Sequence, residues 1–225
     1  MDQNSDFSKR VAVHYNNNPW VPSPAPGVAR KVLDRLGGEV ARATTIVRFD
    51  PDSAFAAHTH AGGEEFIVLE GVFQDEHGDF PAGTYVRNPP TSAHTPASKP
   101  GCTIFVKLWQ FDPDDRTQVA LDMASVARVP DPARPGVRMA TLFQDEHERV
   151  TLEAWDAETS HQVDAEGGAE ALVLEGSLRE GGQEFLSRDW LRIPVGHCAP
   201  LSAGPDGALI WVKTGHLAHI RSPDA

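Results

Sequence analysis

Three histidines and one glutamate stand at spacings suited to holding a metal ion: His58-Thr-His60, Glu64 after Ala61-Gly-Gly63, and His94 further on. On a strand, residues two apart share a face, so His58 and His60 project together. Gly62-Gly63 lets the chain turn and brings Glu64 back towards the imidazoles. A His-x-His pair alone is often a surface pair. The glutamate, the glycine turn and the later histidine after a proline-rich turn make it a candidate metal site. Mixed nitrogen and oxygen donors suit a divalent transition metal better than calcium or magnesium. Affinity order does not select among Fe, Mn, Ni and Zn. An octahedral ion on four such ligands keeps two positions open, enough for dioxygen and one substrate oxygen. Four-coordinate zinc would be closed by the same four.

Short strands must carry these residues. Phe66-Ile-Val-Leu69 is an apolar run ended by Gly71 and reads as a buried strand. Further strands are expected over 28–36, 42–49, 84–88 and 103–110, with a turn at Asp50-Pro-Asp52 and a hairpin over 74–79. His77, at the tip of that hairpin, is expected to be solvated. Residues 119–126 read as a short strand or a helical turn. Trp20 in the proline-punctuated leading segment is expected to anchor it to a domain surface.

The pattern His58-x-His60-x3-Glu64-x6-Gly71 resembles the first motif of the cupin superfamily, and Gly83 to His94, through Pro89-Pro90, is similar to the second. The whole run from His58 to Pro96 resembles the cupin domain of ChrR-type anti-sigma factors and their stand-alone relatives. That resemblance implies a small antiparallel jelly-roll β-barrel, with a metal inside held by His58, His60, Glu64 and His94.

An internal repeat extends the reading to the rest of the chain. Gly62-Gly-Glu-Glu65-Phe-Ile-Val-Leu-Glu-Gly71 matches Gly167-Gly-Ala-Glu170-Ala-Leu-Val-Leu-Glu-Gly176. Tyr85-Val-Arg87-Asn-Pro89 matches Trp190-Leu-Arg192-Ile-Pro194, and Ile104-Phe-Val-Lys107 matches Ile210-Trp-Val-Lys213. The expected fold is all-β, a bicupin of two tandem cupin modules. Residues 1–25 are read as an N-terminal arm, 26–112 as a metal-binding barrel, 113–134 as a linker and 135–225 as a degenerate second barrel. Val163, Ala165 and Ala169 replace His58, His60 and Glu64, leaving Glu170, His197 and a nearby His161. Two or three scattered groups rarely hold an ion, so the second barrel reads as structural. Because Glu170 aligns with Glu65, Glu65 is expected to have a role common to both copies.

Composition closes off other function classes. A net charge of −12, with dispersed basic residues, argues against nucleic acid. No apolar run approaches the ~20 residues that span a bilayer, and the first residues lack a signal-peptide core. Cys102 and Cys198 form no Cys-x-x-Cys motif, and a cytoplasmic protein without disulfides is expected. The expected partner is a small-molecule ligand or substrate, with monomer and homodimer both open.

Two functions follow from one ligand set. Stand-alone relatives of this module resemble dioxygenases that cleave carbon–carbon bonds beside a carbonyl or enolate, which implies an oxidoreductase whose metal centre itself carries the chemistry. Tyr85 and Arg87 would then either position substrate or, since Trp190 and Arg192 recur in the other copy, support the fold. The alternative is a regulatory cupin related to the ChrR-type anti-sigma factors. Those carry an N-terminal sigma-binding domain with His and Cys ligands to zinc, and the first 25 residues here lack cysteine.

Overall fold

Alternation along the strand Glu64–Asp75 decides what the first part of the chain encloses. Phe66 and Val68 point into an apolar cluster with Val47, Phe49, Val86, Ile104 and Val106, and Glu64 shares their side of the strand. Glu65 and Ile67 point the other way and are buried as well. The computed structural model describes residues 2–38, 40–163 and 165–223, and apart from two single-turn 3₁₀ helices its regular structure is strand. The fold is the all-β one expected.

The chain divides into two compact units. The first comprises residues 19–125 with 2–5 and 221–223; the second comprises 126–220 with 6–18. In the first, the main sheet runs Val119–Asp122, Thr84–Asn88, Glu64–Asp75, Cys102–Leu108, Ala41–Phe49, Val28–Gly37 and Val21–Pro22. In the second, it runs Val11–Val13, Trp190–Ile193, Ala169–Glu180, Pro200–Thr214, Arg149–Trp155, Val137–Gln144 and Val129–Pro130. The two orders correspond strand for strand, as the sequence repeat requires.

The correspondence extends into the segments read as arm and linker, which are not bare connections. Val11, Ala12 and Val13 pair with Arg192, Leu191 and Trp190. Val119, Ala120 and Leu121 pair with Arg87, Val86 and Tyr85 in the same register. Each unit would otherwise leave the outer edge of Thr84–Asn88 or Trp190–Ile193 with unpaired backbone groups, and a three- or four-residue strand satisfies it. Residues 11–13, far from the rest of the second unit in sequence, therefore complete its sheet, and residues 119–122, just before the second unit resumes, complete the first. Trp20 is anchored as expected, with the Lys31 ammonium 5.0 Å and the Arg48 guanidinium 4.6 Å from its ring centre.

A polar layer recurs behind both barrel interiors. Glu65 lies in register between Arg87 and Lys107, and Glu170 between Arg192 and Lys213. Tyr85 Oη donates to Glu65 at 2.6 Å, and Trp190 Nε1 donates to Glu170 at 3.2 Å, so the aromatic exchange keeps a donor in place. Arg87 stacks on Phe111 at 4.2 Å and Arg192 on Phe7 at 4.3 Å. Lys107 donates to Thr44 at 2.9 Å, while Lys213 meets Glu148 at 2.9 Å. These arginines and lysines are at most 1% exposed, and charges so buried persist only where partners surround them. This is the common role expected of Glu65. It also settles Tyr85 and Arg87, which lie on the Glu65 face of the sheet and not on the Glu64 face.

Gly71 and Gly176 end the matching apolar runs with φ of +70° and +69°. A Cβ at either would run into the carbonyl of Gly101 or Gly207 on the neighbouring strand, which is why the repeat keeps glycine there.

Candidate metal centre

Two-residue strands place the first ligand candidates. His58–Thr59 pairs antiparallel with Ala93–His94, setting His58 directly opposite His94. His60 follows on the chain, its backbone N–H bonded to Ser92 O at 2.8 Å. Gly63, at φ +76° with its Cα against the Phe111 ring, then turns the chain into Glu64. One ligand atom from each of His58, His60 and His94 lies within 4.8 Å of the other two. Glu64 Oε2 is 3.4 Å from His60 Nε2 and 3.5 Å from His94 Nε2. All four residues singled out by spacing thus come together, His58 at the exposed mouth and the other three buried.

The hydrogen bonds aim nitrogen lone pairs inwards. His58 Nδ1 donates to Ala56 O at 2.9 Å, and His94 Nδ1 to the Asp75 carboxylate at 3.0 Å, which leaves both Nε2 atoms as acceptors. His60 Nε2 and His94 Nε2 stand only 2.9 Å apart, with room for one proton between them. Nitrogens bound at ~2.1 Å to a common ion and at right angles would be ~3.0 Å apart, so this donor set fits a shared transition metal. Asn88 Nδ2 donates to Glu64 Oε2 at 3.1 Å from the opposite strand position and fixes the carboxylate.

Electrostatics keep the imidazoles ready to bind. Burial lowers the His60 pKa to about 3, with repulsion from His94 and His58 adding to it. Burial lowers His94 as well, opposed by its hydrogen bond to Asp75. Glu64 is pushed up to about 7 by burial, with the Asn88 hydrogen bond pulling the other way and the Asp75 charge adding to the rise.

Sequence reasoning missed Asp75 and Asn88. Asp75 closes the strand that Glu64 opens, and only the hairpin after it, with Gly78 paired to Asp75, returns the chain so that His94 can reach it. Asn88 was visible as a strand end before Pro89, but its partner depends on register. Tyr85 and Arg87, weighed for substrate, do not line the cleft at the centre. That cleft, about 200 Å³, has His60, Asn88 and His94 at its base. His77, expected to be solvated, is exposed and also lines it.

In the second unit the corresponding positions are apolar. Val163, Ala165 and Ala169 sit in a cluster with Leu191, Ile193, Leu201 and Ile210. His197 is exposed, its Nδ1 3.2 Å from Val195 O, and His161 Nε2 donates to Pro135 O at 2.8 Å. Neither lies in that cluster.

Comparison with known proteins bears on the family and the fold. Residues 8–112 match the family model described as the ChrR cupin-like domain. The chain matches none of the curated proteins. A candidate dioxygenase from Nostoc punctiforme is similar over 98% of this chain and 83% of its own, with 16% identity and a TM-score of 0.72. Protein Ylba from Escherichia coli aligns over 92% of this chain and 91% of its own, at 14% identity and a TM-score of 0.71. The bacterial pirin YhhW from Escherichia coli, solved with nickel(II), aligns over 92% of this chain and 99% of its own, at 15% identity and a TM-score of 0.66. At such identities these structures speak for the fold. No helix among the described residues is long and apolar enough to cross a membrane. Residues 8–112 are thus similar to the ChrR cupin-like domain, and the fold of the chain is the cupin fold.

Proposed function

We propose that the chain binds one divalent transition metal, Fe, Mn, Ni or Zn, through His58, His60, Glu64 and His94. On this reading it is a dioxygenase-type oxidoreductase acting on a small carbonyl or enolate substrate. The observation that carries the reading is the buried meeting of His60 Nε2, His94 Nε2 and Glu64 Oε2 within 3.5 Å of one another. When bound, the metal would supply Lewis acidity and redox capacity at the cleft.

The chain's own residues do the rest. Asp75 holds the His94 proton on Nδ1, so that Nε2 faces the centre in one tautomer. Asn88 keeps Glu64 from swinging out of the set. Phe73, 5.8 Å from the His94 ring, and the apolar cluster behind it keep water from the buried side. The similarity to a candidate dioxygenase and to a nickel-bound pirin supports the same reading.

A second reading is a regulatory cupin that signals through its metal, and the match to the ChrR cupin-like domain favours it. Metal analysis of the purified protein, together with oxygen uptake on a panel of small carbonyl compounds, separates the two. One equivalent of iron, manganese or nickel with substrate-dependent oxygen uptake establishes the enzyme. One equivalent of tightly held zinc without turnover establishes the regulator, and a protein that takes up no metal refutes both.

A further inference from the structure

The cleft above the centre has side chains that holding a metal does not require. Beyond His60, Asn88 and His94 its lining consists of His77, Ser92, Ala93 and Gln118, so Ala93 is its one apolar side chain. The Ser92 hydroxyl is buried without a hydrogen-bond partner, a condition that a ligand oxygen would relieve. Gln118 and His77 are exposed at the rim and add further polar groups there. An aryl ketone, with an apolar ring, does not match this lining. A divalent ion on three neutral imidazoles and one carboxylate keeps one net positive charge, which one anionic oxygen neutralises.

We infer that Ser92, Gln118 and His77 are the specificity-determining residues of this centre. They select a small polar monoanion of the class of short-chain 2-oxo and 2-hydroxy acids over aryl ketones. The inference rests on the metal-centre reading and specifies its substrate class. One oxygen of the acid faces His60 and His94, and Ser92 and Gln118 donate to its other carboxylate oxygen.

The test is a titration of the cobalt(II)-loaded full chain with pyruvate and with 2-hydroxyacetophenone, followed by the absorption of the ion. Pyruvate is expected to half-saturate at a concentration at least ~10-fold below that of the aryl ketone. Ser92→Ala is expected to raise the pyruvate concentration needed by ~5–10-fold, and Gln118→Ala, at the exposed rim, by ~2–5-fold, both with unchanged cobalt stoichiometry. Equal or tighter binding of 2-hydroxyacetophenone overturns the inference. So does pyruvate binding that neither variant weakens while cobalt remains fully bound. If the parent takes up no cobalt, the metal-centre reading itself fails and the inference with it, so stoichiometry tells the two failures apart.

Discussion

Glu65 and Glu170 occupy equivalent positions and take hydrogen bonds from equivalent aromatic residues, yet the residue before each differs in kind. Glu64 stands opposite Asn88 and beside two histidines; Ala169 stands opposite Ile193 in an apolar cluster. The two units therefore share one face of their central strand and differ on the other. Because successive side chains on a strand face opposite sides, a unit can exchange its interior donors for Val, Ala and Ile without touching the Arg–Glu–Lys layer behind them. Frame and chemistry are separable in this chain, and the second unit keeps the frame alone.

The sharpest way to break that comparison is to remove a ligand candidate from each unit. His94→Ala is expected to abolish metal binding, measured as loss of the full equivalent on elemental analysis. His197→Ala is expected to leave metal content unchanged; a drop by one equivalent there would mean that the second unit holds an ion after all. The shared face is tested by Glu65→Leu and Glu170→Leu. Each removes the carboxylate that lies in register between a buried arginine and a buried lysine, and each is expected to lower unfolding free energy by ~3–5 kcal/mol in urea titration. A cost confined to one of them would show that the layers are not equivalent.

A smaller effect concerns protons. Metal-free Glu64 is protonated below its raised pKa of about 7, while His60, lowered to about 3, stays neutral throughout the range above pH 4. Metal binding needs the carboxylate, so below pH 7 it is expected to expel close to one proton, and affinity to fall up to ~10-fold per pH unit. Calorimetry in buffers of different ionisation enthalpy would read this directly, and proton release that stays near zero at pH 6 would contradict it. The smallest contrast lies between the cysteines, one in each unit. Cys102 is buried with its thiol pushed up to about 11 by burial, and Cys198 is exposed. Mild alkylation of the folded protein is expected to label Cys198 alone, as peptide mass mapping would show.

The four ligand candidates were legible because two-residue spacing, a glycine turn and a later histidine are local signals. The strands over 28–36, 42–49 and 84–88 were legible for the same reason. Asp75 and Asn88 were not, since their value comes from register across strands that only the folded sheet sets. The repeat was plain where it spanned ten residues ending in Gly71 and Gly176. It was invisible in Val11-Ala-Val13 and Val119-Ala-Leu121, where three residues carry too little pattern to stand out. His77 looked like a solvated hairpin tip because nothing local says which cavity a hairpin overhangs.

The placement of these two short strands sets a schedule for synthesis. Val119–Asp122 leaves the ribosome soon after the strand it joins, Thr84–Asn88, so the metal-bearing sheet can close while the rest of the chain is still being made. Val11–Val13, by contrast, is made long before its partner Trp190–Ile193. At ~5–20 residues per second, the leading strand waits roughly 10–40 s for its edge.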